Sequence, residues 1–150
     1  MTCQVIDSPP HEGDRGGGTL HLEEGEIAVS DVNELVSRYI AAWNEPDAGA
    51  RSQAVAELWT EDGTYTDPLV AVAGHQAIEA VIGGAREMFP GHTFRLMDGV
   101  DGHHDIARFR WELAPASGGE PTAVGSDVAV IAEDGRLRGV YGFLDKAPAA

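Results

Sequence analysis

From His92 to Leu144 the chain is written as strand, and this half of the sequence constrains the fold most. Four segments of strand character follow one another: His92 to Val100, His103 to Ala114, Ala123 to Ala132 and Arg136 to Leu144. Asp101-Gly102 stands between the first two and Asp134-Gly135 between the last two. Asp-Gly is a strong hairpin signal, so the spacing predicts an antiparallel meander. In the second segment Ala107, Phe109, Trp111 and Leu113 alternate with Ile106, Arg108, Arg110 and Glu112. The first set is expected to face inward, the second outward or into a partner subunit.

A sheet with one apolar face needs a cover, and the preceding residues supply it. Val32, Leu35, Val36, Tyr39, Ile40 and Trp43 recur at helical spacing, with Ser30 or Asp31 able to cap the start and Asn44-Glu45-Pro46-Asp47 ending the run. A second helix is expected from about Gly49 to Trp59, burying Val55, Leu58 and Trp59. A third opens at Gly74-His75 with the stripe Ile78, Val81, Ile82, Ala85 and Phe89; Gly83-Gly84 weakens its middle and Pro90-Gly91 ends it. Helices first and a meander afterwards give an α+β fold, a curved sheet wrapped against a helical layer.

Between the second and third helices lies Leu58-Trp-Thr-Glu-Asp-Gly-Thr-Tyr-Thr-Asp67-Pro68. It reads as a helix end, a tight Asp62-Gly63 turn and a short strand. Pro68 biases Asp67 toward extended backbone and cannot donate to a ladder, so the carboxylate stands where a strand ends. An acid there can line a cavity and accept a proton, or simply cap the turn. Asp127 is a second conspicuous acid, interrupting Val124, Val128 and Val130. It is paired, with Arg108 or Arg110 as candidates, or faces solvent, or is held protonated. Tyr39, in the buried stripe of the first helix, needs a hydrogen-bond partner or is an ordinary core residue.

The formal charge of −15, from 10 Lys and Arg against 25 Asp and Glu, disfavours nucleic acid and anionic membrane surfaces. A neutral or weakly charged organic ligand fits better. Cys3 has no partner for a disulfide within the chain, no apolar run is long enough to span a membrane, and no secretory signal is read, which points to the cytoplasm. Residues 1–29, with Pro9-Pro10 and Gly16-Gly17-Gly18, read as a disordered tail; 30–146 as one domain; 147–150 as a second short tail.

His103-His104-Asp105 forms no complete metal site, because His103 and Asp105 share a strand face while His104 points away, and nothing further is spaced to complete a set. The pair rims the hairpin turn, or His103 stands at a pocket mouth as a proton relay. His75 suits helix capping and chain entry. Trp43, Phe109 and Trp111 supply pocket wall or core. No nucleophile elbow and no phosphate loop is present in the sequence.

The order helix, helix, Asp-Gly strand, Asp67-Pro68, Gly74-His75-x-x-Ile78 helix and four long strands resembles the nuclear transport factor 2-like superfamily over roughly residues 31–146. That superfamily includes the SnoaL-like polyketide cyclases and the ketosteroid isomerases. The resemblance implies a conical barrel (NTF2-like, cystatin-like) holding an apolar pocket between sheet and helices, and a homodimer. Against the ketosteroid isomerases, Tyr39 after Arg38 matches the oxyanion-binding tyrosine, and Asp67 before Pro68 the general base. Asp127, counted back from Gly135-Arg136, matches the protonated second oxyanion donor. In those isomerases the environment splits two carboxyl groups into a base and a neutral donor. The resemblance therefore implies a small enzyme without cofactor or metal that moves a proton beside a carbonyl in an isomerisation or aldol-type cyclisation. A non-catalytic ligand-binding or scaffold protein, and epoxide hydration, stand as alternatives.

Overall fold

In the computed structural model residues 29–148 are described; the expected N-terminal tail, apart from its last residue, and residues 149–150 lie outside them. Helix α1 (Val29–Asn44) already runs at Val29, so Ser30 and Asp31 stand within its first turn instead of capping it. Its buried stripe is Val32, Leu35, Val36, Tyr39, Ile40 and Trp43, as the spacing predicts. Helix α2 (Ala48–Leu58) is capped by Asp47, whose carboxylate accepts from Ala50 N–H at 2.8 Å.

Strand β1 (Trp59–Thr66) begins one residue after α2 ends. Asp62-Gly63 makes no turn ahead of it but lies inside it, where the register slips between Trp59 and Thr64. Gly63 is needed for space: a Cβ there would stand 2.6 Å from Trp59 Cδ1. A short strand unforeseen in the sequence, β2 (Ala71–Ala73), folds back on β1. Helix α3 (His75–Met88) runs straight through Gly83-Gly84, because Ile78 and Ile82 are wholly buried beneath it.

The other strands are β3 (His92–Leu96), β4 (Asp101–His103), β5 (Ile106–Pro115), β6 (Ala123–Ile131) and β7 (Leu137–Lys146). Asp134-Gly135 turns β6 into β7, with Gly135 at φ 89°. Asp101-Gly102 makes no turn. It lies in β4, pairing with Arg108 and Ala107, and the reversal falls at His104-Asp105 with His104 at φ 52°. Gly102 is there because α1 presses on it: a Cβ would stand 3.1 Å from Val32 Cγ2.

The sheet has the order β2-β1-β7-β6-β5-β3, with β4 beside β5. All neighbours are antiparallel except β1 and β7. It curves round the helices as an α+β cone and stays open, with β2 and β3 at its edges. Ala107, Phe109 and Leu113 face inward while Arg108 and Arg110 are exposed, so the alternation read from β5 holds. One apolar core joins the three helices to the sheet, centred on Trp59, Phe109, Leu58, Ile78 and Ile82. Burial of each such side chain contributes about 1.5–3 kcal/mol.

Candidate functional site

Three neighbouring strands set the site. Thr66 of β1 is opposite Tyr141 of β7, and Gly142 of β7 is opposite Asp127 of β6. Asp67, Gly142 and Asp127 therefore stand in a row across the sheet. A methyl group placed on Gly142 would lie 2.8 Å from Asp127 Oδ1 and 3.6 Å from Asp67 Cβ. The missing side chain leaves a slot between two carboxyl groups.

The slot is the polar floor of a cavity of about 580 Å³ between sheet and helices. Its wall is apolar, from Ile40, Trp43, Val72, Val81, Phe94 and Trp111 among others. Tyr39, Tyr65, Asp67 and Asp127 all line it.

Asp127 is 2% exposed and, among the described residues, the only charged or polar residue in the buried set. The Tyr39 hydroxyl donates to its Oδ2 at 2.8 Å, and the Trp111 indole N–H to its Oδ1 at 3.1 Å. Trp111 reaches it by passing over Gly125, where a Cβ would collide with the indole ring at Cζ2. Among the described residues Asp127 pairs with no arginine: Arg108 lies 3.5 Å from Asp101, and Arg110 3.7 Å from Asp145. Burial pushes the Asp127 carboxyl up to about 6. The Trp111 and Tyr39 hydrogen bonds oppose that rise, and the nearby Asp67 charge adds to it. Tyr39 is enclosed by Trp59, Phe109 and Trp43, at ring-centroid distances of 5.6, 5.3 and 6.2 Å. Burial first, and then the Asp127 charge, hold its phenol well above the usual value, so it stays a donor.

Asp67 is only half-buried and is bound differently. Its Oδ1 accepts from the backbone N–H groups of Leu69 and Val70, at 2.8 and 3.0 Å, closing the turn through Pro68. Its Oδ2 accepts from the Tyr65 hydroxyl at 2.9 Å. Tyr65 is raised above the ordinary phenol range by burial, then by the Asp127 and Asp67 charges.

Residues 36–140 match the SnoaL-like domain. The chain belongs to the SnoaL-like family. A provisionally assigned isomerase of that family from Agrobacterium tumefaciens is 39% identical, with 78% of this chain and 99% of that one covered and a TM-score of 0.74. A provisionally assigned SnoaL-like polyketide cyclase from Jannaschia sp. shares the fold at 17% identity, 85% and 92% coverage and TM-score 0.64. So does an NTF2-like protein of unknown function from Mesorhizobium loti, at 22% identity, 85% and 98% coverage and TM-score 0.60. No curated protein matches the chain.

In this SnoaL-like chain the cavity gathers Tyr39, Asp67 and Asp127, together with Trp43 and Trp111, from positions far apart in sequence. Two other residues named from sequence lie elsewhere. Phe109 is 1% exposed in the core against Tyr39, a consequence of its place opposite Asp127 on β5. His103 is exposed on β4 and outside the cavity, because the short β4 strand runs beside β5 away from the β1-β7-β6 row. His75 does not cap α3, where Gly74 stands at the N-cap; its Nε2 instead lies 2.9 and 3.0 Å from the carbonyls of Trp59 and Thr60 at the start of β1. Sequence reading passed over Tyr65, although it stands two residues before Asp67 and so on the same strand face. The N–H role of Trp111, the slot at Gly142 and the platform at Gly125 are also new. Among the described residues Trp43 Nε1 is the buried side-chain polar atom without a hydrogen-bond partner.

Proposed function

We propose that this SnoaL-like chain catalyses cofactor-free proton transfer beside a carbonyl group, isomerising or cyclising a small apolar carbonyl compound. The observation that carries this reading is the Asp67–Gly142–Asp127 row on the floor of one apolar cavity. Abstraction of a proton next to a carbonyl needs a base on one side and donors at the oxygen that becomes negative. Asp67 Oδ2 keeps a lone pair beyond its bond to Tyr65 and takes the proton. Tyr39, backed by a protonated Asp127, donates to the oxygen.

The donors work in series. Trp111 holds Asp127 Oδ1 as an acceptor, so a proton on this carboxyl resides on Oδ2. The short contact to Tyr39 then reverses: Asp127 donates to the phenol oxygen, and the phenol proton turns to the ligand. In an isomerisation Asp67 returns the proton to another carbon. In a cyclisation the enolate carbon bonds to a second carbonyl carbon, and the proton goes to the new alkoxide. A homodimer, which the superfamily resemblance implies, belongs to the same proposal and is tested by analytical ultracentrifugation.

The direct test is exchange of the α-protons of a small β,γ-unsaturated cyclic ketone into deuterium oxide, followed by NMR. Wild type is expected to exchange them and Asp67→Asn is not; equal exchange by both refutes the base. One observation favours a second reading, a non-catalytic ligand carrier. Asp67 already accepts three hydrogen bonds, so its oxygens are largely committed to its own turn and to Tyr65. A carrier binds phenolic enolate mimics equally well with Asp67→Asn and exchanges nothing.

A further inference from the structure

The mouth of the cavity tells what kind of molecule fits. Five large apolar side chains are exposed among the described residues: Leu69 at 78%, Met88 at 63%, Phe143 at 61%, Tyr141 at 43% and Leu144 at 39%. All but Tyr141 line the cavity. They come from separate places, the turn between β1 and β2, the end of α3 and the end of β7, and so frame an opening instead of forming one flat face. Exposed apolar surface of this kind marks a binding site. Its continuity with the cavity wall assigns it to whatever enters there.

The charge of the lining is equally selective. Asp67 and Asp127 are its ionisable acids, and among the described residues it contains no Lys, Arg or His. A carboxylate or phosphate ligand would meet no cation and two acids in an apolar enclosure, at a large desolvation cost. We infer that the ligand is a neutral, elongated amphiphile: one carbonyl or phenol-type oxygen at the Tyr39–Asp127 floor, and a hydrocarbon tail that leaves across Leu69, Met88, Phe143 and Leu144. This rests on the proposed reading of the floor and extends it to the substrate class.

A series of 4-alkylphenols from methyl to decyl tests it by calorimetry, beside alkyl carboxylates and alkylamines of matched length. Affinity is expected to rise roughly two- to fourfold per methylene, the upper figure being full burial. The rise continues into the chain lengths that reach the mouth. The double variant Leu69→Ser/Phe143→Ser keeps the short-chain affinities and flattens the increments for long chains. A wild-type plateau at short chains, or equal weakening of methyl and decyl phenols in the variant, overturns the inference. So does a variant that loses self-association with its chain-length increments intact, since the rim is then a subunit contact. If no phenol of any length binds, or the amines bind more tightly, the reading of the floor itself fails.

Discussion

Asp67 and Asp127 flank one glycine, yet the protein treats them as different chemical groups. Asp127 is almost wholly buried and is held by two side-chain donors from α1 and β5. Asp67 is half-buried at a strand end and is held by two backbone N–H groups and one phenol. In the first region desolvation outweighs the hydrogen bonds, and the carboxyl is pushed up to about 6. In the second, backbone N–H groups of the turn hold the carboxyl and solvent reaches it. Side chains on a sheet face can be sealed under helices, whereas a residue before a proline at a strand end cannot. Position in the fold has given two identical carboxyl groups different surroundings, which is what the proposed division into a base and a proton holder requires.

The largest way to break this contrast is Asp67→Asn. It keeps an oxygen for the Leu69 and Val70 N–H groups but removes the acceptor. Turnover is expected to fall by about 10²–10⁴ with the melting temperature nearly unchanged, measured by α-proton exchange and calorimetry. Next comes Tyr39→Phe, which removes the phenol from the series of donors. A loss of about 10²–10³ in kcat is expected. Phenol affinity should fall with it; unchanged kcat would mean that Tyr39 is only core.

Asp127→Asn sharpens the contrast through pH. The folded carboxyl binds protons that the unfolded one releases between the ordinary value of 3.8 and about 6. Wild type therefore loses the stability contributed by this group as pH rises through that window, and Asn does not. Relative to wild type, the variant should gain about 3 kcal/mol between pH 3.5 and pH 7 in denaturant titrations. Wild-type turnover should decline above about pH 6 for the same reason. The smallest effect is Trp111→Phe. Its indole hydrogen bond lowers the Asp127 carboxyl, so its loss moves the decline in turnover to higher pH. A shift to lower pH would contradict the proton-holding role.

Much of this was legible in the chain, and what was not has a common cause. The apolar stripe of α1, the alternation on β5 and the Asp134-Gly135 hairpin each follow from local rules, and the structure keeps them. Asp67 before Pro68 and Asp127 among valines stood out for the same reason: each breaks its surroundings. The other two Asp-Gly pairs misled because glycine answers two demands that look alike in sequence. Gly135 supplies a positive φ, whereas Gly102 and Gly63 supply room for Val32 and Trp59. Gly125 and Gly142 also supply room, under the Trp111 ring and between the acids. Most of these needs come from residues distant in the chain, Trp59 beside Gly63 being the exception. No local pattern records them.

The parallel seam between β1 and β7 has a consequence for the order in which the molecule becomes competent. Asp67 is made well before Gly142, so during synthesis the two cannot meet until β7 has paired with β1. A nascent or truncated chain ending before Leu137 carries both acids and the phenol, yet lacks the strand that spaces them. On the proposed mechanism, chemistry would begin only once β7 is in place, so possession of the reactive groups alone would not suffice.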